Sequence, residues 1–294
     1  MTIWAAASRN LKMHWRDRTG VFFSFLAPLI ILMLFLGFLG NSQVDSLVDR
    51  VPGLARETAW WSVQSWLVGA ICFTTTVTMP MGAIGVLVDD RIHSRLDDLL
   101  AAPVSRRVLA AGYTASALVT ALIGTLGVWI LGVGTMAVQG NPLPGPVAFA
   151  KTGLALIVSC AVFSGFATLL ATAIRSQNAY AAFSTILGTM VGFVAGVYVP
   201  MGVLPAGVAN TVTALPFAQA ATLVRQPWAA DSFAAMTQGA PVEVANSVSQ
   251  DLGLTASIGG HGLPTWILWL SLLAYGLAFA AVAARGLGRV VRRG

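Results

Sequence analysis

The residues best suited to chemistry lie in one polar loop, DDRIHSRLDDLLAAPVSRR, running from Asp89 to Arg107 between two long apolar blocks. Two acid pairs stand in it, Asp89–Asp90 and Asp97–Asp98. Paired carboxylates of this kind are the raw material of a Mg²⁺ site, as in membrane transferases that clamp a diphosphate. Such enzymes carry a second acidic cluster, which is missing from the same side of this chain. The loop also holds a second pattern. Ile92, Leu96, Leu99 and Leu100 fall at i, i+4, i+7 and i+8, one face of a short helix. Asp90, Arg91, Ser94, Asp97 and Asp98 supply its wet face, Arg95 adds a cation, and Pro103 ends it. A short amphipathic helix of mixed charge fits a groove on a soluble partner. It also fits an in-plane position on lipid headgroups. Docking through the leucines predicts that Leu96→Asp or Leu99→Asp uncouples the partner and leaves membrane insertion intact.

Other chemistries find little support. A phosphate loop needs Gly-x4-Gly-Lys-Ser/Thr, so that bare backbone amides can approach the phosphates. The nearest match, GPVAFAKT from Gly145 to Thr152, has Ala150 where the second Gly belongs and runs into an apolar helix. His14, His93 and His261 are scattered, so no nucleophile–base pair can be assembled from them. Cys72 and Cys160 fall inside apolar blocks and read as small core residues. No catalytic or metal-binding residue is assigned.

The elements that must carry the loop are membrane spans. Of the 294 residues, 56% are hydrophobic and 10% charged, against roughly 25% charged in a soluble domain. Stretches of about 20 apolar residues give an all-α integral membrane fold of six spans. They run at about 20–40, 62–88, 108–138, 149–174, 179–199 and 263–284. The first is too long for a signal-peptide core and reads as a retained span. Alternate loops divide the charge unequally. Arg50, Arg56, Lys151 and Arg225 lie on one side, and the other 13 of the 17 basic residues lie opposite. The positive-inside rule makes that richer side cytoplasmic and places both termini within. Basic residues beside apolar spans also explain the net charge of +6 without nucleic acid.

The spans themselves hold no charge in their interiors. Ion-coupled carriers usually need intramembrane carboxylates, His or Arg as relays, because such groups are retained only for function. An ion-driven secondary carrier is therefore the weaker alternative, and the free energy for transport is expected from outside the bilayer. Before the first span, Ile3, Trp4, Ala7, Leu11 and Trp15 share one helical face. Arg9, Lys12 and Arg16 lie opposite, with Arg18 following: an interfacial amphipathic helix. Gly188, Gly192 and Gly196 make a small-residue stripe on the fifth span, suited either to packing within the chain or to a dimer seam. Pro200, Pro205 and Pro216 break the next stretch into short helices expected to dip back into the outer leaflet. Residues 227–262 complete an outer segment of about 200–262.

Taken in order, these pieces resemble the permease subunits of type-2 ABC exporters, the daunorubicin-type drug and polysaccharide permeases, over nearly the whole chain. WRDRTGVFFSFLAPLIILMLFLG, Trp15 to Gly37, looks like the family's first span, with Arg16, Arg18 and Pro28 in place. DDLLAAPVSRRVLAAGY, Asp97 to Tyr113, looks like its cytoplasmic loop. Leu204–Pro205, Pro216 and Arg225 fit the spacing of the family signature, while Gln219 departs from the His, Arg, Ser or Tyr usual at its place.

The resemblance implies a single membrane domain over residues 1–294, in the cytoplasmic membrane of a bacterium. It implies two copies of a separate ATP-binding subunit, with ATP and Mg²⁺ held there and no cofactor in this chain. It implies a second permease copy or a paralogue, and a substrate such as an amphipathic drug, lipid-like molecule or peptide. It makes Arg91–Pro103 the coupling helix and sets the N-terminal helix beside the same interface. It also brings the first and fifth spans of two halves together, with Phe22, Phe25 and the Gly188/Gly192/Gly196 stripe near the seam and route.

Overall fold

The computed structural model describes residues 2–101, 105–194 and 204–290. The chain opens with α1 (Ile3–Arg16), whose first turn is capped by Thr2 Oγ1 accepting from the Ala5 amide at 3.2 Å. Asp17 alone separates it from α2 (Arg18–Leu34), and its carboxylate caps that helix by accepting from Gly20 N–H at 2.9 Å. A π-helical turn, Phe35–Leu39, carries α2 without a break into α3 (Gly40–Arg50). Next comes α4 (Arg56–Ile92), 37 residues long. At 1.5 Å per residue it extends about 55 Å, well beyond a hydrocarbon core of roughly 30 Å.

A short helix α5 (Arg95–Ala101) follows, then α6 (Arg106–Val138), α7 (Pro146–Ala173) and α8 (Gln177–Val194). Four short helices come next: α9 (Ala206–Ala214), α10 (Pro216–Trp228), α11 (Ala230–Met236) and α12 (Val242–Asp251). A two-residue hairpin pairs Ser257 with Gly262 and Ile258 with His261. The last helix, α13, runs from Thr265 to Val290.

The longest helix is also the centre. α4 lies against α6, α7, α8 and α10, while α13 packs on α7 and α1 crosses α6. Aromatic contacts tie these layers together: Phe73 meets Phe163 edge-on at 5.8 Å, and Phe163 stacks on Phe217 of α10 at 5.1 Å. The buried threonines of α4 cost little, because their hydroxyls donate within the helix. Thr74 bonds Ala70 O at 2.9 Å, Thr75 bonds Cys72 O at 2.7 Å and Thr76 bonds Phe73 O at 2.7 Å.

α1 is seated on α6 through very small residues. Ala6 and Ala7 are buried, and a Cβ at Gly112 would come within 2.4 Å of Ala6 Cβ. Gly112→Val should therefore push α1 away, at about 1–3 kcal/mol of overpacking. The measurement is maleimide labelling of Asn10→Cys, which is buried in the native chain and should become modifiable in the Gly112→Val background.

Several sequence expectations change here. Among the described residues, five helices are long and apolar enough to cross a membrane: Pro28–Arg50, Arg56–Ile92, Arg107–Val138, Pro146–Ala173 and Thr265–Gly286. The first and second outrun the expected 20–40 and 62–88, because polar turns continue the helix past the apolar block. The expected fifth span, 179–199, is represented by α8, which starts on polar Gln177 and Asn178 and is described as far as Val194. Gly196 lies outside the described residues. Between 200 and 262, α10 is a buried element, wedged between α4, α7 and α13. Arg225, expected with the charges of the far loops, is 1% exposed, and its Cζ sits 5.5 Å from the Trp66 ring. Gly69 makes room for it, since a Cβ there would lie 3.1 Å from Arg225 Cγ.

Candidate coupling site

The polar loop is an elbow between α4 and α5. Ser94 adopts a left-handed backbone, φ +55°, and this single residue turns the chain from one helix into the other. The expected continuous helix Arg91–Pro103 is thus broken: Arg91 and Ile92 form the last turn of α4, and α5 begins at Arg95. Pro103 lies outside the described residues, as do the side chains of Asp97 and Leu100.

The break separates Ile92 from Leu96 and Leu99, which no longer share the expected common face. Leu96 is buried among Ile84, Leu87, Val88 and Leu109, and Leu99 packs partly against the same cluster. Ile92, His93, Ser94, Arg95 and Asp98 are the exposed residues of the elbow. Its described outward surface is therefore mixed polar, and Leu96 and Leu99 hold it to the bundle. Arg91 points inward too. Its guanidinium donates to Ala171 O at 3.2 Å, Thr172 O at 3.4 Å and Ile174 O, closing the carbonyl end of α7. Arg95 Nη1 donates to Asp89 Oδ2 at 3.0 Å, and His93 Nδ1 lies 3.1 Å from Asp89 Oδ1.

Asp90 corrects the expected wet face most sharply, being completely buried. Its carboxylate accepts from Arg9 Nη1 at 2.8 Å and Arg9 Nη2 at 3.2 Å, and from the Tyr113 hydroxyl at 2.5 Å. Arg9, expected to face headgroups, instead joins α1 to α4. The bonded Asp90 carboxylate holds the Arg9 guanidinium above its ordinary pKa, outweighing the opposing effect of burial. Asp90 is thus committed to Arg9 and Tyr113, and Asp89 to Arg95 and His93. Among the described residues, no three His, Cys, Asp or Glu side chains gather as a metal site.

On α1 the buried face is Ala6, Ala7 and Asn10, whereas Trp4, Lys12, Trp15 and Arg16 are exposed, followed by exposed Arg18. The exposed side thus carries indole and cation together, the pairing suited to a membrane–water boundary. Of the residues expected at a seam, Phe22 is exposed and Phe25 packs partly against the core. Gly188 faces Thr78 of α4, 3.7 Å from a Cβ placed there, and Gly192 is buried. On α8, Ile186, Met190 and Phe193 are turned outward.

The spacing of Leu204, Pro205, Pro216 and Arg225 acquires a physical meaning. Pro205 caps α9 and Pro216 is the first residue of α10, positions where a missing amide hydrogen costs nothing. Arg225 stands in the last turn of α10. The spacing therefore sets the lengths of two successive short helices. Sequence reasoning missed the Arg9–Asp90–Tyr113 cluster, whose partners are 81 and 23 residues apart. The only signal was an acid directly abutting an apolar span.

No curated protein matches the sequence. The family model described as ABC-2 type transporter matches residues 1–227, from α1 through nearly all of α10. That stretch includes α1, the elbow and the Leu204–Arg225 spacing. The chain belongs to the ABC-2 type transporter family.

Proposed function

We propose that this chain is the permease subunit of an ATP-driven exporter, docked through its α4–α5 elbow to a separate ATP-binding subunit. The carrying observation is the elbow itself, with Ile92, His93, Ser94 and Asp98 exposed at the end of the helix that forms the core. A push on that end acts on a helix packed against most of the bundle, so docking there can bias the whole arrangement. The proposal keeps six spans with both termini cytoplasmic, in a bacterial inner membrane. Two permease halves, identical or paralogous, would carry two ATP-binding subunits, which supply ATP and Mg²⁺. An amphipathic drug, lipid-like molecule or peptide is the substrate class suited to spans without interior charge.

Co-purification tests the docking surface. Ile92→Asp and Asp98→Arg should each reduce recovery of the ATP-binding subunit about tenfold, the equivalent of ~1.4 kcal/mol. The amount of chain in the membrane should stay unchanged, because both side chains are exposed. Undiminished recovery with both variants would place docking elsewhere. Transport into vesicles that persists without any ATP-binding subunit, and collapses with a protonophore, would replace the exporter reading with an ion-driven carrier.

A further inference from the structure

We propose that the buried Asp90 carboxylate is a positioning group that latches α1 to the α4–α5 elbow, making α1 a rigid lever between the elbow and the first span. The inference rests on the docking reading above for what moves the elbow, while the latch itself is argued from contacts within this chain.

Four elements converge on one side chain. Asp90 belongs to α4, Arg9 to α1, Tyr113 to α6, and Arg95 of α5 brings its Nη1 to 3.8 Å from Asp90 Oδ1. The two-pronged Arg9 contact, 2.8 and 3.2 Å, fixes direction as well as distance. The remainder of the α1 seat cannot do so. Ala6 and Ala7 against Gly112 present a smooth surface along which a helix can slide or roll. Asn10 adds a second indication. Its Oδ1 accepts from Arg9 Nη1 at 2.8 Å, yet its buried Nδ2 has no acceptor among the described residues. A buried donor left unsatisfied favours displacement of α1, so the seat needs an opposing fastening.

Both ends of the lever are short of slack. Asp17 is the single residue between α1 and α2, and its side chain is committed to capping α2. At the elbow, His93 and Ser94 alone separate α4 from α5. A displacement of the elbow can therefore reach α2 through Arg9 and α1 as well as through direct packing on α4.

The test uses spin labels at Lys12→Cys on α1 and Arg107→Cys on α6, both exposed positions. Cys72 and Cys160 are fully buried and can stay. The native chain should give one narrow label–label distance. Arg9→Met should broaden it, and Arg9→Lys, which keeps the charge, should partly restore it. The decisive variant is the double Arg9→Met/Asp90→Leu, which removes both charges together and so leaves neither one unpaired. Chain level and thermal stability should then recover, while the distance stays broad. ATP hydrolysis by the co-purified ATP-binding subunit should fall about tenfold or more, the scale of a lost charge-assisted hydrogen bond. A double variant with a native narrow distance and full hydrolysis would overturn the latch, reducing Asp90 to packing. Failure of the native chain to recover any ATP-binding subunit would overturn the docking reading instead, since the distance measurement needs only this chain.

Discussion

Leu96→Asp is expected to abolish the folded chain, not merely to release a partner. Leu96 is 3% exposed and sits in the cluster that holds α5 against α4 and α6, with Ile84, Leu87, Val88 and Leu109 around it. Losing a buried leucine alone costs about 2–5 kcal/mol. An unpaired carboxylate in its place adds several kcal/mol more, against a typical total stability of roughly 5–15 kcal/mol. Size-exclusion of detergent-solubilised membranes should show loss of the monodisperse peak for Leu96→Asp and its survival for Ile92→Asp. If Leu96→Asp instead elutes normally and loses only the ATP-binding subunit, the leucine face is the docking face after all.

That contrast shows where the sequence was legible. The position of the elbow could be read because a polar loop between apolar blocks is a one-dimensional signal. Its facing could not. The i, i+4, i+7, i+8 pattern of Ile92, Leu96, Leu99 and Leu100 assumes one continuous helix, and the left-handed turn at Ser94 divides it. A serine in that conformation leaves no mark in hydropathy. The charges failed in the same way. Arg91 and Asp90 read as surface residues because they border an apolar block, and Arg9 because it lies opposite the apolar face of its helix. Their partners, the α7 carbonyls and one another, lie about 80 residues away in the chain. Charge counting assigned Arg225 to a loop for the same reason: burial against Trp66 and Gly69 depends on how α10 folds back onto α4. The glycine stripe was read with both its alternatives open, and a Cβ at Gly188 would lie 3.7 Å from Thr78 of α4.

The opposite end of α4 carries the second large expected effect. Trp66→Ala should destabilise the bundle by about 3–5 kcal/mol, the usual range for a buried aromatic. The indole is 1% exposed, its ring lies 5.7 Å from Phe35, and Arg225 Cζ is 5.5 Å from its centroid. Its Nε1 donates to Leu252 O at 2.8 Å, fastening the end of α12 to the central helix. Truncation removes all three contacts and deprives a buried guanidinium of its aromatic surface. Trp66→Phe separates the parts, since it keeps a ring but leaves Leu252 O without its donor, for a loss of about 1 kcal/mol. The readout is the thermal midpoint of the solubilised chain. At roughly 3 °C per kcal/mol, Trp66→Ala should fall by about 10 °C and Trp66→Phe by about 3 °C. Equal losses in the two variants would mean that the hydrogen bond to Leu252, and not the packed indole, holds the short helices onto α4.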